Sequence, residues 1–111
     1  EVMFKARPQG ILFEAANARH EHEWEDWREA RIPADKVLIP GAIDTRTNLV
    51  DHPRRVAQIL RRYLDIVGIE RVMAGTDCGF GTVAGRDVVA RSVVWSKLRA
   101  LAEGARLASA G

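Results

Sequence analysis

The chain has 111 residues, of which 47% are hydrophobic and 29% are charged, and its formal net charge is +2. This size and balance fit one small globular domain and exclude a mainly disordered chain. The 17 basic residues are scattered among 15 acidic ones without a basic stripe, so we expect no nucleic-acid partner. The apolar runs are too short to span a bilayer, so we expect no membrane partner. The single cysteine excludes an internal disulfide and is typical of a reducing, cytoplasmic compartment.

Three times along the chain, a short apolar run is followed by a polar loop and then by a stretch with a helical pattern. The apolar runs begin at positions 11, 37 and 72, and their starts are therefore separated by 26 and 35 residues. The helical patterns after the first and third runs cover residues 19–30 and about 86–107. This spacing is typical of parallel strands joined by helices, so the sequence predicts an α/β fold.

The helix after the second run is the clearest element of the sequence. Apolar residues recur every three or four positions over residues 56–67, while arginines occupy mainly the other face. We expect Asp51 to be the N-cap, Pro53 to lie in the first turn and Gly68 to end the helix.

Three strand–helix units are too few to close a barrel or to cover both faces of an open sheet. The chain also does not begin with Met. We therefore interpret it as the C-terminal part of a larger domain; the alternative is a small three-layer α/β fold that is complete in itself. Open sheet edges and uncovered apolar surface predict that the isolated chain forms homo-oligomers, is poorly stable or belongs to a larger assembly.

Polar and ionisable residues lie at the end of each apolar run, where parallel α/β folds carry their sites. They are Glu14, Asn17, Arg19, Asp44, Arg46, Asp77 and Cys78. Within its apolar run, Glu14 needs a cation, a metal or a proton, although the pleat of the strand could also turn it towards an arginine or solvent. In its glycine-rich loop, Cys78 is either a zinc ligand, a nucleophile or an inert core residue. The nucleophile alternative needs a histidine base, and no histidine is expected among these strand-end residues.

The histidines of the sequence do not predict a metal pair. His20 and His22 would share a face on a strand, but on a helix they point about 200° apart. Because we predict a helix there, we do not expect them to chelate a metal together. His52 is interpreted as a helix-terminus residue rather than a base.

Three segments resemble the C-terminal barrel of cobalamin-independent methionine synthase and its shorter relatives, in order and in spacing. They are residues 11–16, 40–44 and 75–80. Residues 17–24 are more similar to the shorter, synthase-like proteins than to the long two-barrel enzyme. The resemblance covers essentially the whole chain. It implies that residues 1–111 are the last three βα units of a (β/α)8 barrel, as the C-terminal fragment of a cytoplasmic enzyme.

The resemblance also implies a zinc-dependent transfer of a methyl group to a thiol in methionine biosynthesis. In the family, zinc holds homocysteine as a thiolate, which attacks the methyl group of methyltetrahydrofolate. Glu14 matches the glutamate ligand and Cys78 the last cysteine ligand, whereas the family's histidine and first cysteine ligands would lie before Glu1. Asp77 is expected to hold these ligands in place without binding the metal itself. With half of a site, the chain alone is expected to be inactive.

One position departs from the family pattern. Where methionine synthase has Asp-x-His-Ser, with the histidine assigned to proton transfer, this chain has Asp44-Thr45-Arg46-Thr47. Arginine is a poor general acid but binds carboxylates and sulfonates, so Asp44 and Arg46 are expected on the substrate side. The methyl donor and the thiol acceptor therefore both stay open, and the acceptor is either homocysteine or another thiol such as coenzyme M. The alternative from a different class is a non-catalytic α/β module that binds an anion or a partner, with Cys78 inert.

Overall fold

The computed structural model describes residues 2–81, 85 and 88–110. The regular elements are, in chain order, a 3-10 turn at Val2–Lys5, β1 at Gly10–Phe13, a 3-10 turn at Glu21–Glu23, α1 at Trp24–Glu29, β2 at Val37–Pro40, α2 at Pro53–Val67, a 3-10 turn at Ile69–Arg71 and α3 at Arg91–Ser109. No helix within these residues combines the length and the apolar character that crossing a membrane requires.

The sheet is parallel and is built from the three predicted apolar runs. β1 pairs with β2, with Ile11 opposite Leu38. The third run approaches the other edge of β2 through two isolated parallel bridges, which join Leu38 to Val72 and Gly41 to Gly75. The predicted α/β class is therefore confirmed, with a regular two-stranded sheet and a third segment that contributes bridges rather than a full strand.

The helix after β2 has the predicted position but a different N-cap. α2 covers Pro53–Val67 and ends at Gly68, whose φ of 89° favours glycine. The N-cap is His52, because its Nδ1 accepts a hydrogen bond from the backbone N–H two residues further on, at 3.1 Å. Asp51 was expected in this role, which is wrong: its side chain turns inwards and pairs with the buried Lys97. The interpretation of His52 as a helix-terminus residue is confirmed.

The other two predicted helices differ from the structure at their starts. The backbone N–H groups of His20 and Glu21 both donate to the carbonyl of Asn17, which forms a turn at residues 17–20. The α-helix therefore begins only at Trp24, five residues later than predicted. The last helix begins at Arg91, and its predicted start near residue 86 lies outside the described residues.

The core lies between one face of the sheet and the helices. Its largest fully buried apolar side chains are Leu38, Ile43, Val56, Ile59 and Tyr63. Phe13 stacks on Trp27 with ring centroids 4.1 Å apart and meets Tyr63 edge-on at 5.2 Å. On the opposite face of the sheet, Leu12 and Met73 are 69% and 59% exposed. The sheet thus has one packed face and one apolar face open to solvent.

Candidate functional site

Glu14 and Cys78 meet at the carboxyl end of the sheet. Glu14 directly follows β1, and Cys78 lies three residues after the bridge between Gly41 and Gly75. The thiol of Cys78 donates a hydrogen bond to Glu14 Oε1, with the two atoms 2.8 Å apart. The expectation that these two candidate ligands lie together at one end of the sheet agrees with this contact.

His20 occupies the other side of the Glu14 carboxylate. Its Nε2 lies 2.8 Å from Glu14 Oε2, and its Nδ1 lies 2.9 Å from Glu23 Oε1. Each oxygen of Glu14 therefore has its own partner, a thiol on one side and an imidazole on the other. The expectation that no histidine lies near the strand-end residues was wrong. The turn at residues 17–20 replaces the first helical turn and brings this imidazole back over the end of β1.

Asp77 joins the end of β1 to the third apolar run. Its Oδ1 accepts hydrogen bonds from the backbone N–H groups of Ala15 and Ala16, at 2.9 Å and 3.0 Å. Its Oδ2 accepts a hydrogen bond from Asn17 Nδ2 at 2.9 Å. One carboxylate thus satisfies three donors from the segment that follows Glu14.

This contact depends on a glycine. A Cβ atom on Gly41 would lie 2.1 Å from Asp77 Oδ1 and 2.6 Å from Asp77 Cα, which no side chain allows. Because Asp77 directly precedes Cys78 and binds the residues after Glu14, it fixes the two candidate ligands relative to each other. These hydrogen bonds link Asp77 to the segment after Glu14, and its support of the two candidate ligands stays a prediction.

The charges of the site favour a protonated thiol beside an ionised carboxylate. The hydrogen bond from Cys78, together with the nearby His20, lowers the pKa of Glu14 against the opposing effect of burial. The hydrogen bond to Glu14, burial and the negative charge of Glu14 and Asp77 raise the pKa of Cys78, while Arg46 opposes the rise. Burial also raises the pKa of Asp77, although its hydrogen bonds from the backbone act in the other direction. A cation bound between the two side chains would reverse this balance and favour the thiolate.

The donor pair fits one half of a zinc site. Zinc accepts both carboxylate oxygen and cysteine sulfur, and Glu14 and Cys78 present one of each. Zinc sites take at least three protein ligands. Within the described part of the chain, no group of three or more His, Cys, Asp or Glu side chains could hold a metal ion. A zinc ion at this pair would therefore need further ligands beside Glu14 and Cys78.

Asp44 and Arg46 lie in the loop between β2 and α2, on the same rim. The backbone N–H of Arg46 donates to Asp44 Oδ1 at 2.9 Å, and the guanidinium is exposed. Lys97 was not among the residues predicted for the site. It fixes this loop by donating a hydrogen bond to the carbonyl of Asp44 at 2.8 Å. A groove of about 400 Å³ runs between this loop and the turn after β1, and Asp44 and Asn17 both line it. Glu14, Cys78 and Arg46 do not line this groove.

Comparison with known proteins identifies one similar structure. No protein-family model matches the chain, and no curated protein matches it. The B12-independent methionine synthase from Shewanella sp. W3-18-1, solved in complex with selenomethionine, is similar with a TM-score of 0.77 and 26% sequence identity. The match covers 97% of this chain, which spans only 28% of the length of that synthase. The chain is therefore structurally similar to part of a B12-independent methionine synthase over nearly its whole length, as the motifs at its strand ends predict.

Proposed function

We propose that this chain carries half of the active site of a zinc-dependent thiol methyltransferase of the methionine synthase type. The observation that carries the proposal is the contact between Glu14 and Cys78 at the carboxyl end of a parallel sheet. These are two zinc donors of different chemistry, brought together from positions 64 residues apart in the chain. The structural similarity to a methionine synthase supports the same activity.

In this proposal each residue at the rim has a distinct task. Glu14 and Cys78 hold the metal, which when bound lowers the pKa of a coordinated substrate thiol. Asp77 keeps both ligands in place through its hydrogen bonds to the segment after β1. The exposed guanidinium of Arg46 offers paired N–H donors to a carboxylate or sulfonate of the thiol substrate, and Asp44 orders the loop that carries it.

We further propose that the three parallel segments are the last three βα units of a (β/α)8 barrel, and that residues 1–111 form the C-terminal part of that domain. The apolar face with Leu12 and Met73 supports this, because a barrel would cover it with side chains of the other strands. The remaining ligands and the groups that bind a methyl donor such as methyltetrahydrofolate would then come from those other strands. Sites of such barrels lie where Glu14 and Cys78 lie, beyond the carboxyl ends of the strands.

Metal analysis of the complete barrel protein tests the proposal. We expect about one zinc ion per subunit, and weak binding or none to this chain alone, because a zinc site needs at least three protein ligands. Cys78→Ser should remove most of the metal and of the methyl transfer to a thiol, since a hydroxyl at neutral pH is a far poorer ligand than a thiolate. Glu14→Gln should weaken binding less, because the amide oxygen keeps the geometry without the charge.

The matched control is Glu103→Gln, which removes an exposed carboxylate whose ion pair with Arg106 lies on α3. This variant should keep both metal and activity. Full zinc occupancy in Cys78→Ser would contradict the ligand role and favour a non-catalytic module with an inert cysteine. A zinc-loaded protein that methylates a different thiol, such as coenzyme M, and not homocysteine would keep the chemistry and correct the substrate.

A further inference from the structure

The carboxylate of Glu14 is held from two sides. Oε1 accepts the hydrogen bond from Cys78 at 2.8 Å, and Oε2 faces His20 Nε2 at the same distance. A glutamate side chain has several rotatable bonds and loses much rotamer freedom when it is fixed. With Oε2 anchored by the imidazole, Oε1 stays directed at the sulfur atom.

The imidazole of His20 is itself anchored. Its Nδ1 lies 2.9 Å from Glu23 Oε1, and its backbone N–H donates to the carbonyl of Asn17 at 3.1 Å. Asn17 in turn donates through Nδ2 to Asp77, the residue before Cys78. These contacts link Asp77 through Asn17, His20 and Glu14 to Cys78, and the peptide bond between Asp77 and Cys78 closes the ring.

The placement of His20 differs from that of a third ligand. The imidazole and the thiol approach opposite oxygens of Glu14, and no three such side chains in the described part of the chain converge as a metal site. The placement also differs from that of an ordinary surface ion pair, which contributes little because nothing holds its partners. His20 has carboxylates at both ring nitrogens and a turn that fixes its backbone.

We propose that His20 is a positioning residue of the metal site, which holds Glu14 Oε2 so that Oε1 stays beside the Cys78 sulfur. The inference rests on the proposed zinc function of Glu14 and Cys78. Hydrogen-bonded partners of metal ligands fix the orientation of those ligands, and their removal typically lowers metal affinity 10–100-fold. His20 thereby adds to the site without coordinating the metal.

The experiment measures zinc affinity in the complete barrel protein by competition with a chromophoric chelator. His20→Ala should weaken zinc binding by about 10–100-fold. His20→Gln should restore most of the affinity, because the amide N–H can donate to the same oxygen of Glu14. His22→Ala is the matched control: His22 is a neighbouring, exposed histidine, and its removal should leave the affinity unchanged.

Cobalt substitution separates positioning from coordination. In the Co²⁺-loaded protein, the visible absorption that reports the ligand set should be the same in wild type, His20→Ala and His20→Gln. A changed coordination spectrum in His20→Ala would make His20 a ligand and overturn the proposal. Wild-type zinc affinity in His20→Ala would overturn it as well, and would leave His20 as a surface ion-pair residue.

Failure of the underlying function gives a different result. If the wild-type barrel binds no zinc, or if Cys78→Ser retains it, the proposed function fails and the role of His20 fails with it. If zinc binding requires Cys78 but is the same with and without His20, only the inference about His20 fails.

Discussion

Lys97 Nζ lies 3.0 Å from Asp51 Oδ2, and both side chains are almost completely buried. The ammonium group also donates to the carbonyl groups of Asp44, at 2.8 Å, and of Leu49, at 2.5 Å. A buried ammonium group needs partners for all three of its donors, and Lys97 has them. This ion pair therefore fixes the loop that carries Asp44 and Arg46 onto α3.

Removing one partner of this ion pair should strongly lower the free energy of unfolding. Lys97→Met leaves the buried carboxylate of Asp51 with only the half-exposed Arg55, 3.6 Å away, as a cation, and we expect a loss of up to about 3–5 kcal/mol in the free energy of unfolding. The double variant Lys97→Met/Asp51→Asn should lose clearly less, because no buried charge is left uncompensated. Urea denaturation of the three proteins measures this. Equal losses in the single and double variants would contradict the importance of the ion pair.

The contact between α2 and α3 depends on the absence of a side chain at Gly104. A Cβ atom there would lie 2.3 Å from Val56 Cγ1 and 2.9 Å from the carbonyl oxygen of Pro53. Alanine in place of a helical glycine usually stabilises by up to about 1 kcal/mol. Here we expect Gly104→Ala to destabilise by about 1–3 kcal/mol instead, because the two helices are forced apart.

Thermal or urea unfolding of Gly104→Ala and of Gly104→Ala/Val56→Ala tests this expectation. The second substitution removes the γ-carbons of Val56, but the Cβ atom of residue 56 and the carbonyl oxygen of Pro53 remain in the way, so the loss should persist in the double variant. Gly81→Ala is the control, because an added Cβ atom there meets no atom of the described residues within 4 Å. A stabilised Gly104→Ala variant would mean that the helices can separate at no cost.

Tyr63 makes stability sensitive to alkaline pH. Burial raises the pKa of this phenol well above its usual range. The unfolded chain releases the proton at about pH 10 while the folded chain keeps it, so the folded state binds more protons above that pH. The contribution of Tyr63 is therefore fully present below about pH 10, and the free energy of unfolding falls as the pH rises further.

Two measurements test whether the free energy of unfolding falls at alkaline pH because of Tyr63. Tyr63 is the single tyrosine of the chain, so the ultraviolet absorbance of tyrosinate reports on this residue alone. Ionisation should coincide with unfolding in an alkaline titration rather than precede it. In Tyr63→Phe, the loss of stability between about pH 9 and about pH 11 should be smaller than in wild type. Ionisation within the folded state near the ordinary pKa would contradict the assigned burial.

Local patterns in the sequence were sufficient to predict much of the fold. The apolar period of α2 and the glycine at its end depend on neighbouring residues, and both are where they were expected. The N-cap lies one residue later than predicted, because Lys97, 46 positions away, pairs with the carboxylate of Asp51. No local rule describes a competition between a helix cap and a distant buried ammonium group.

The candidate site also has one part that the sequence predicts and one part that it does not. The positions of Glu14 and Cys78 follow from the rule that parallel strands end at one edge, and their contact agrees with it. The role of His20 could not be predicted, because residues 19–30 have a helical pattern and the turn at Asn17 is decided by backbone hydrogen bonds. The one sequence signal for this turn was Asn17 itself, a residue type that favours turns.

The close approach of Gly41 to Asp77 should decide whether the site forms. Gly41→Ala places a Cβ atom 2.6 Å from Asp77 Cα and 2.7 Å from Asp77 N, and these backbone atoms cannot move away cheaply. We expect the hydrogen bonds from Ala15 and Ala16 to Asp77 to break. Hydrogen exchange of these two amides should therefore become much faster, and the complete barrel protein should lose zinc affinity, since the carboxylate that fixes Glu14 relative to Cys78 is displaced.

Gly10→Ala is the matched control for this prediction, because it lies on the same strand-and-loop segment as Ala15. Among the described residues, an added Cβ atom at Gly10 approaches only Ile39 Cδ1, at 3.1 Å, and the tip of that flexible side chain can shift. Gly10→Ala should therefore leave the exchange of the Ala15 and Ala16 amides close to wild type. Unchanged protection in Gly41→Ala, or an equal loss in both variants, would show that Asp77 does not hold the end of β1 in the way its three hydrogen bonds indicate.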